Sequence, residues 1–468
     1  MTRAAAARAC DVRATVRGAI PEVLDLARGA RMRISSVMVV GPLAVLCASL
    51  AGAEAVELSV EDAVASALRS QPRLLAAASQ VEAARQRARQ AEWNRLGALE
   101  TTFLYTPAQR PLRVDFPGIP PYVPATAFEV KQLQTYSTSM SLTQPLWTWG
   151  ALASERGSAR HLERASRQAF ERARQQTTLE VSRAFFQAAT AVAAVVVAEQ
   201  NLLQQQAFLD VTRRRVQAGA AARLDELKAE LAVARAESDL LEVKNRERLS
   251  REALVTLTDD ARFRDAALKP LEESGPELAD RPAAVDEALA KRLDLASLAS
   301  QAEATRLGTR AVRGGRLPAL VFRAQLTQQN DVFGEAFGRD SQLYQVGLAM
   351  SWNLADALRS GPKVAEMQAL ERGARHALRA GQEEVALEVR SVQSRAREAR
   401  ERVGVQARVL DVALEQARVA RLAYSEGIIT SVEAQDAELA LASARFSLLR
   451  ARLDAAVSAA ELRCALGH

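Results

Sequence analysis

Glu433 and Asp436 stand three residues apart in a stretch that reads as helix, so both carboxylates fall on one helical face. Such a pair attracts cations and repels anions, or it is simply a solvated face. No catalytic constellation surrounds it. The histidines His161, His376 and His468 and the cysteines Cys10, Cys47 and Cys464 lack metal-ligand spacing. The sequence has neither a phosphate-binding glycine loop nor a nucleophile elbow. These residues read as a protein that is not an enzyme and takes no cofactor.

The elements that must position the acids are long helices. Of 468 residues, 49% are hydrophobic but only 4% aromatic, and Ala, Arg, Glu, Leu and Gln dominate long stretches. The formal net charge is +6, yet acids and bases are interleaved. Without a concentrated basic face, nucleic acid is not an expected partner.

Residues 1–55 read as a signal peptide region. Arg31-Met-Arg33 precedes the apolar run Val37–Leu50, and Ala53-Glu-Ala55 offers a small-x-small cleavage site. Either the first 31 residues extend the basic region or translation starts at Met32. No second run of about 20 apolar residues is expected. Cleavage after Ala55 would leave Cys464 as the one cysteine of the mature chain.

The mature chain reads as two structural repeats, 56–275 and 276–468. Gln80-Val-Glu-Ala-Ala-Arg85 returns as Gln301-Ala-Glu-Ala-Thr-Arg306, and Ala218-Gly219 with its flanks returns loosely at Glu426-Gly427. Each repeat holds a strand pair, 99–148 and 319–355. In the first, Leu99, Thr101, Phe103 and Tyr105 share one face, as do Tyr136, Thr138, Met140, Leu142, Gln144 and Leu146. In the second, Leu320, Phe322, Ala324 and Leu326 alternate with polar neighbours, and Tyr344 to Leu354 continue the pattern. The lengths suit tilted membrane strands with one face in lipid and one in a wet lumen. Tyr136, Trp147, Trp149, Tyr344 and Trp352 are candidates for interfacial girdles. The alternation is equally that of a soluble half-buried sheet. Four strands cannot close a pore, which takes about eight or more, so a spanning sheet requires an oligomer.

Between the strands lie helical hairpins, 150–258 and 361–466. Residues 151–217 hold no proline and one glycine, Gly157, which allows a helix of about 100 Å. Ala229, Ala232 and Ala236, and Ala437, Ala440 and Ala444, step along one face of each hairpin and permit close packing. Two loops complete the plan. The first, roughly 106–131, carries Pro107, Pro111, Pro117, Pro120, Pro121 and Pro124; the second, roughly 328–341, carries Asp331, Glu335 and Asp340.

This order of parts resembles the outer membrane efflux protein family, the trimeric channel-tunnels of Gram-negative envelopes. The resemblance runs from Leu58 to Leu466. It is carried by Leu58-Ser-Val-Glu-Asp-Ala-Val-Ala-Ser-Ala-Leu68, by Leu142-Thr-Gln-Pro-Leu-Trp147 before Gly150, and by the two turns. Its most specific piece is Tyr424-Ser-Glu-Gly-Ile-Ile-Thr-Ser-Val-Glu-Ala-Gln-Asp-Ala-Glu-Leu439.

The resemblance implies a mixed fold of α and transmembrane β. Each chain would give four strands to a shared 12-stranded outer membrane β-barrel and build a long antiparallel α-helical periplasmic tunnel. It implies a homotrimer in outer membrane lipid, a periplasmic adaptor, and an inner membrane pump or ATP-driven exporter. The chain would be a passive exit duct for efflux or type I secretion; the alternative is an exported helical spacer or adaptor without a pore. By the same resemblance, Gly219, Leu224 and Asp225, with Gly427, Ser431 and Val432, form adaptor-docking hairpin tips. Glu433 and Asp436 would line the closed aperture as an acidic ring, in which crowding raises the proton affinity of some members. The family's basic residue near these acids is missing from Ile428-Ile429-Thr430, and Arg223 is the candidate to replace it.

Overall fold

The computed structural model describes residues 57–107, 112–122, 124, 126–130, 134–270, 284–330 and 342–468. All belong to one unit, Ala55–His468. The predicted export region and the acids Asp331, Glu335 and Asp340 lie outside the described residues.

Helix α1 (Val60–Ser70) opens with a capping box. The Ser59 hydroxyl accepts from the Asp62 amide, and the Asp62 carboxylate accepts from the Ser59 amide. Pro72 then starts α2 (Pro72–Trp93), where its missing N–H costs nothing. Strand β1 (Ala98–Thr106) follows. The proline-rich loop holds more structure than its composition predicts, namely a hairpin of β2 (Leu112–Phe116) and β3 (Thr126–Val130). The prolines flank these short strands without entering them, so no ladder hydrogen bond is lost.

Strand β4 (Thr135–Trp147) leads into α3 (Ala151–Gln217), and α4 (Arg223–Thr258) returns beside it. After a short 3-10 turn (Ala261–Arg264) come α5 (Ala284–Lys291), α6 (Leu293–Gly314), β5 (Ala319–Asn330) and β6 (Gln342–Ser351). Strand β6 stops three residues short of Leu354. Asn353 accepts from the Asp356 amide at 3.1 Å and starts α7 (Leu354–Arg359) instead. The second hairpin is α8 (Gly361–Glu426) and α9 (Ser431–Ala465).

The four long strands form one antiparallel sheet in the order β1-β4-β5-β6. Its register sorts the side chains. Leu99 faces Leu142, which faces Ala324, which faces Val346; Met140 faces Leu326, which faces Tyr344. Facing residues of an antiparallel pair point the same way, so these make one continuous apolar face. On the other face Glu100 meets Ser141, Ser141 meets Gln325, and Gln325 meets Gln345. The apolar face is left open to the surroundings: Leu99, Tyr344, Val346, Leu348 and Met350 are all exposed.

Tyr105 stacks on Tyr136 at one end of this face, with centroids 4.9 Å apart. At the other end Trp147 meets Trp149 edge-on, and the indoles of Trp149 and Trp352 donate to the carbonyls of Pro318 and Arg316. Aromatic rims with bonded polar ends around an apolar band are what a membrane slab requires of a sheet. Pro145 lies past the end of β1 and beside a register shift, where it removes no bond from that ladder. The outer edges of β1 and β6 pair with nothing among the described residues.

Two packed cores mark the middle of the helical part. One gathers Ala63, Ala67, Val181, Phe185, Leu254 and Phe263; the other gathers Ala288, Leu295, Val385, Val389 and Leu462. Helix α3 does contain an apolar window long enough to cross a membrane, contrary to the single run read from the sequence. Length and composition alone do not make it a span, because its Val181, Phe185 and Ala188 are buried against α1 and α4. Of the alanines expected to let the hairpins close up, Ala229, Ala236, Ala437 and Ala444 are buried, while Ala440 is exposed.

Candidate gate at the hairpin tips

Each hairpin turns on a left-handed glycine, Gly219 at φ 71° and Gly427 at φ 82°. A side chain is disfavoured at both by conformation alone. At Gly427 the space is also tight, since a Cβ would stand 3.2 Å from the Arg215 guanidinium, which would have to give way by a few tenths of an ångström.

The two hairpins carry the same crossbar. Arg213 donates to Glu230 at 3.0 Å in the first, and Arg421 donates to Glu438 at 3.1 Å in the second. The positions match at the same spacing as Gly219 and Gly427. The crossbars differ in burial, Glu438 being buried, while in both the hydrogen bond to the glutamate holds the arginine pKa above its usual value.

The turns differ in how the returning helix begins. Thr430 and Glu433 make a full capping box: the Thr430 hydroxyl accepts from the Glu433 amide, and the Glu433 carboxylate accepts from the Thr430 amide at 2.8 Å. The bond from the Thr430 amide, and then that from the Thr430 hydroxyl, which donates to the same carboxylate at 2.9 Å, hold Glu433 below the usual glutamate range. Within one chain, then, the capping box opposes the raised proton affinity expected of a crowded ring. In the first hairpin Ala222 has no oxygen to offer, and only the return bond from its amide to Asp225 remains.

Asp225 and Ser431 are brought together, the Ser431 hydroxyl donating to the Asp225 carboxylate. Ser431 is buried there, so this pair joins the hairpins to each other. Leu224 and Val432 stay exposed at the tips. Glu433 and Asp436 are both exposed on α9. Arg223 does not cross between the hairpins; it pairs with Glu226 one turn along its own helix.

The cation that does cross is Arg215. Its guanidinium donates to the Tyr424 carbonyl and lies 4.6 Å from the centre of the Tyr424 ring. Tyr424 is buried, stacks on Phe208 at 4.9 Å, and bonds through its hydroxyl to Thr212 at 3.1 Å. Sequence reading missed this cluster, because its partners lie about 210 positions apart in the chain. The Arg213/Glu230 and Arg421/Glu438 crossbars were within reach, since they repeat at the spacing of the glycines.

A second charged cluster lies at the level of the cores. Arg292 is 5% exposed and pairs with Asp294 at 2.6 Å and with Glu388. Arg172 donates to the Cys464 carbonyl at 3.0 Å and stands 3.8 Å from Asp294. Among the described residues no group of His, Cys, Asp and Glu is arranged to hold a metal ion.

A sheet apolar on one face and polar on the other, with open edges and two long helical hairpins, is one subunit of a membrane barrel joined to a tunnel. The family model for outer membrane efflux proteins matches residues 63–259 and 284–468, and the chain belongs to that family. It is an outer membrane duct for efflux or secretion with a long periplasmic helical extension. Solved structures share the fold. The outer-membrane channel OprN matches at 18% identity and TM-score 0.76, over 87% of this chain and 89% of that one. CusC matches at 17% and 0.77, over 88% and 92%. VceC from Vibrio cholerae matches at 17% and 0.74, over 87% and 96%. No curated protein matches the chain by sequence.

Proposed function

We propose that three copies close one pore, the free edge of β1 in each pairing with the free edge of β6 in the next. Strand directions support it, because β1 and β6 run oppositely and their union continues the antiparallel ladder. Twelve strands would then surround a lumen lined by Glu100, Ser139, Ser141, Gln325 and Gln345. Both edges would be removed, as a barrel in lipid requires.

The hairpin tips are the gated, adaptor-docking end. Leu224 and Val432 offer exposed apolar side chains for a periplasmic adaptor, behind the turns at Gly219 and Gly427. Glu433 and Asp436 from three chains form the acidic ring. Movement of cargo is driven by an energised inner membrane transporter, so the duct itself needs no fuel site. The observation that carries the gate is the Arg215–Tyr424 contact, which ties the acid-bearing second hairpin to the first.

The test is site-directed crosslinking with a photoreactive residue at Leu224 or Val432. Capture of the periplasmic adaptor from both sites is expected. Capture only from the sheet loops, or none in a functioning assembly, would contradict the docking assignment.

A further inference from the structure

We propose that Glu100 and Arg323 set the charge selectivity of the duct where it crosses the membrane, by opposing and cancelling each other in the barrel lumen. The proposal rests on the three-chain barrel described above and adds which side chains the passing ions meet there.

The four long strands hold one acid and one base, Glu100 on β1 and Arg323 on β5. Every other residue of β1, β4, β5 and β6 is uncharged. A charge on the lipid face of a membrane strand is costly, whereas the lumen face tolerates it. The register puts both charges on the polar face. Glu100 lies opposite Ser141, which lies opposite Gln325; Arg323 lies between Thr143 and Gly347. Facing residues share a side, and Ser141 and Thr143, two apart on β4, share theirs.

Both side chains are exposed, and neither has an ion-pair or side-chain hydrogen-bond partner among the described residues. They stand two strands and one same-face step apart, about 12 Å along the sheet. On β6 the residue facing Arg323 is Gly347, which has no side chain to cover the guanidinium.

The sheet order then fixes the pattern. In β1-β4-β5-β6 the acid is on the first strand and the base on the third. When β6 of one copy meets β1 of the next, acid and base alternate every two strands around the whole ring. The result is a belt of alternating sign and no net charge. Such fields cancel a short way from the wall, so ions of either sign cross the belt. Selection by sign is left to the tips, where Glu433 and Asp436 are both acidic. Without Arg323 the belt keeps only carboxylates and favours cations; without Glu100 it keeps only guanidiniums and favours anions.

Reversal potentials of the purified full-chain oligomer in planar bilayers test this, under a KCl gradient between about 0.01 and 0.1 M, where the Debye length is about 30 to 10 Å. Recording in the wild type and in a Glu433→Gln, Asp436→Asn background separates the barrel from the tips. Arg323→Gln should raise the potassium-over-chloride permeability ratio by about twofold, and Glu100→Gln should lower it by about as much. The double variant should return to the parent ratio. Both shifts should fade near 1 M salt, where the Debye length is about 3 Å. Unchanged ratios in the single variants, or shifts of the same sign, would overturn the pairing. So would shifts that persist at high salt, which would mean a reshaped pore and not a removed charge. A folded oligomer silent in both backgrounds would overturn the duct reading and this proposal with it, a result distinct from conduction with unchanged selectivity.

Discussion

The Arg215 guanidinium, on the first hairpin, donates to the backbone carbonyl of Tyr424 on the second and lies over its ring. One side chain thus makes a charge-assisted hydrogen bond and a cation–π contact across the two hairpins. The bond is worth about 1.5–3 kcal/mol, and the ring contact adds about 0.5–1 kcal/mol. Arg215→Ala should shift the balance towards separated hairpins by at least about tenfold per chain. Spin labels at Ala220 and Glu426, in a Cys464→Ser background, would report this as a longer, broader distance distribution. An unchanged distribution would mean that Arg215 is not the latch. Tyr424→Phe removes only the Thr212 bond and should have a smaller effect, about 0.5–1.5 kcal/mol.

Glu433 is held below the usual glutamate range by the Thr430 amide and hydroxyl. A carboxyl lowered in the folded state contributes stability above its unfolded value, about 4.3, and loses it as pH falls through the lower folded value. The first turn of α9 should therefore hold at neutral pH and fray only in acid below the ordinary glutamate range. Amide exchange at Ser431 to Ala434 against pH would follow it. Protection lost already between pH 5 and 6 would contradict the capping assignment and favour a crowded ring.

Arg292 joins α6 to α8 through Asp294 and Glu388. Burial alone opposes the charges on Arg292 and Asp294; their hydrogen bonds outweigh it, leaving Arg292 raised and Asp294 lowered. Arg292→Met leaves partners that are still partly open to solvent, so its cost should be about 2 kcal/mol, below that of a fully buried broken pair. Thermal denaturation in detergent measures it. An unchanged midpoint would show that the cluster does not brace the core.

The two faces of β6 predict opposite tolerance. Val346→Arg puts a charge on the apolar face near the middle of the band and should cost about 2–4 kcal/mol of folding into vesicles. Gln345→Arg, next along the strand, points to the polar face and should be nearly neutral. Equal costs would mean that the sheet does not stand in lipid as described.

Much of this was legible locally. Period-two alternation located the four long strands, and the lack of proline or glycine after Gly157 announced α3. Gly219 and Gly427 marked the turns because left-handed backbone favours that residue. What was hidden depended on non-local partners. Arg215 looks like any other arginine of Arg213-Arg214-Arg215 until the fold brings Tyr424 beneath it. Arg223, by contrast, takes a local partner, Glu226 one turn along its own helix. Strands β2 and β3 escaped notice because they are only five residues each and sit among prolines.

The most direct measurement is ion conductance of the purified oligomer in planar bilayers, with a divalent cation added on the hairpin-tip side. The account predicts one pore per three chains and a block by the cation that weakens when Glu433→Gln and Asp436→Asn are combined. A correctly folded oligomer that conducts nothing would contradict the shared duct, and a block unchanged by the double substitution would contradict the acidic ring.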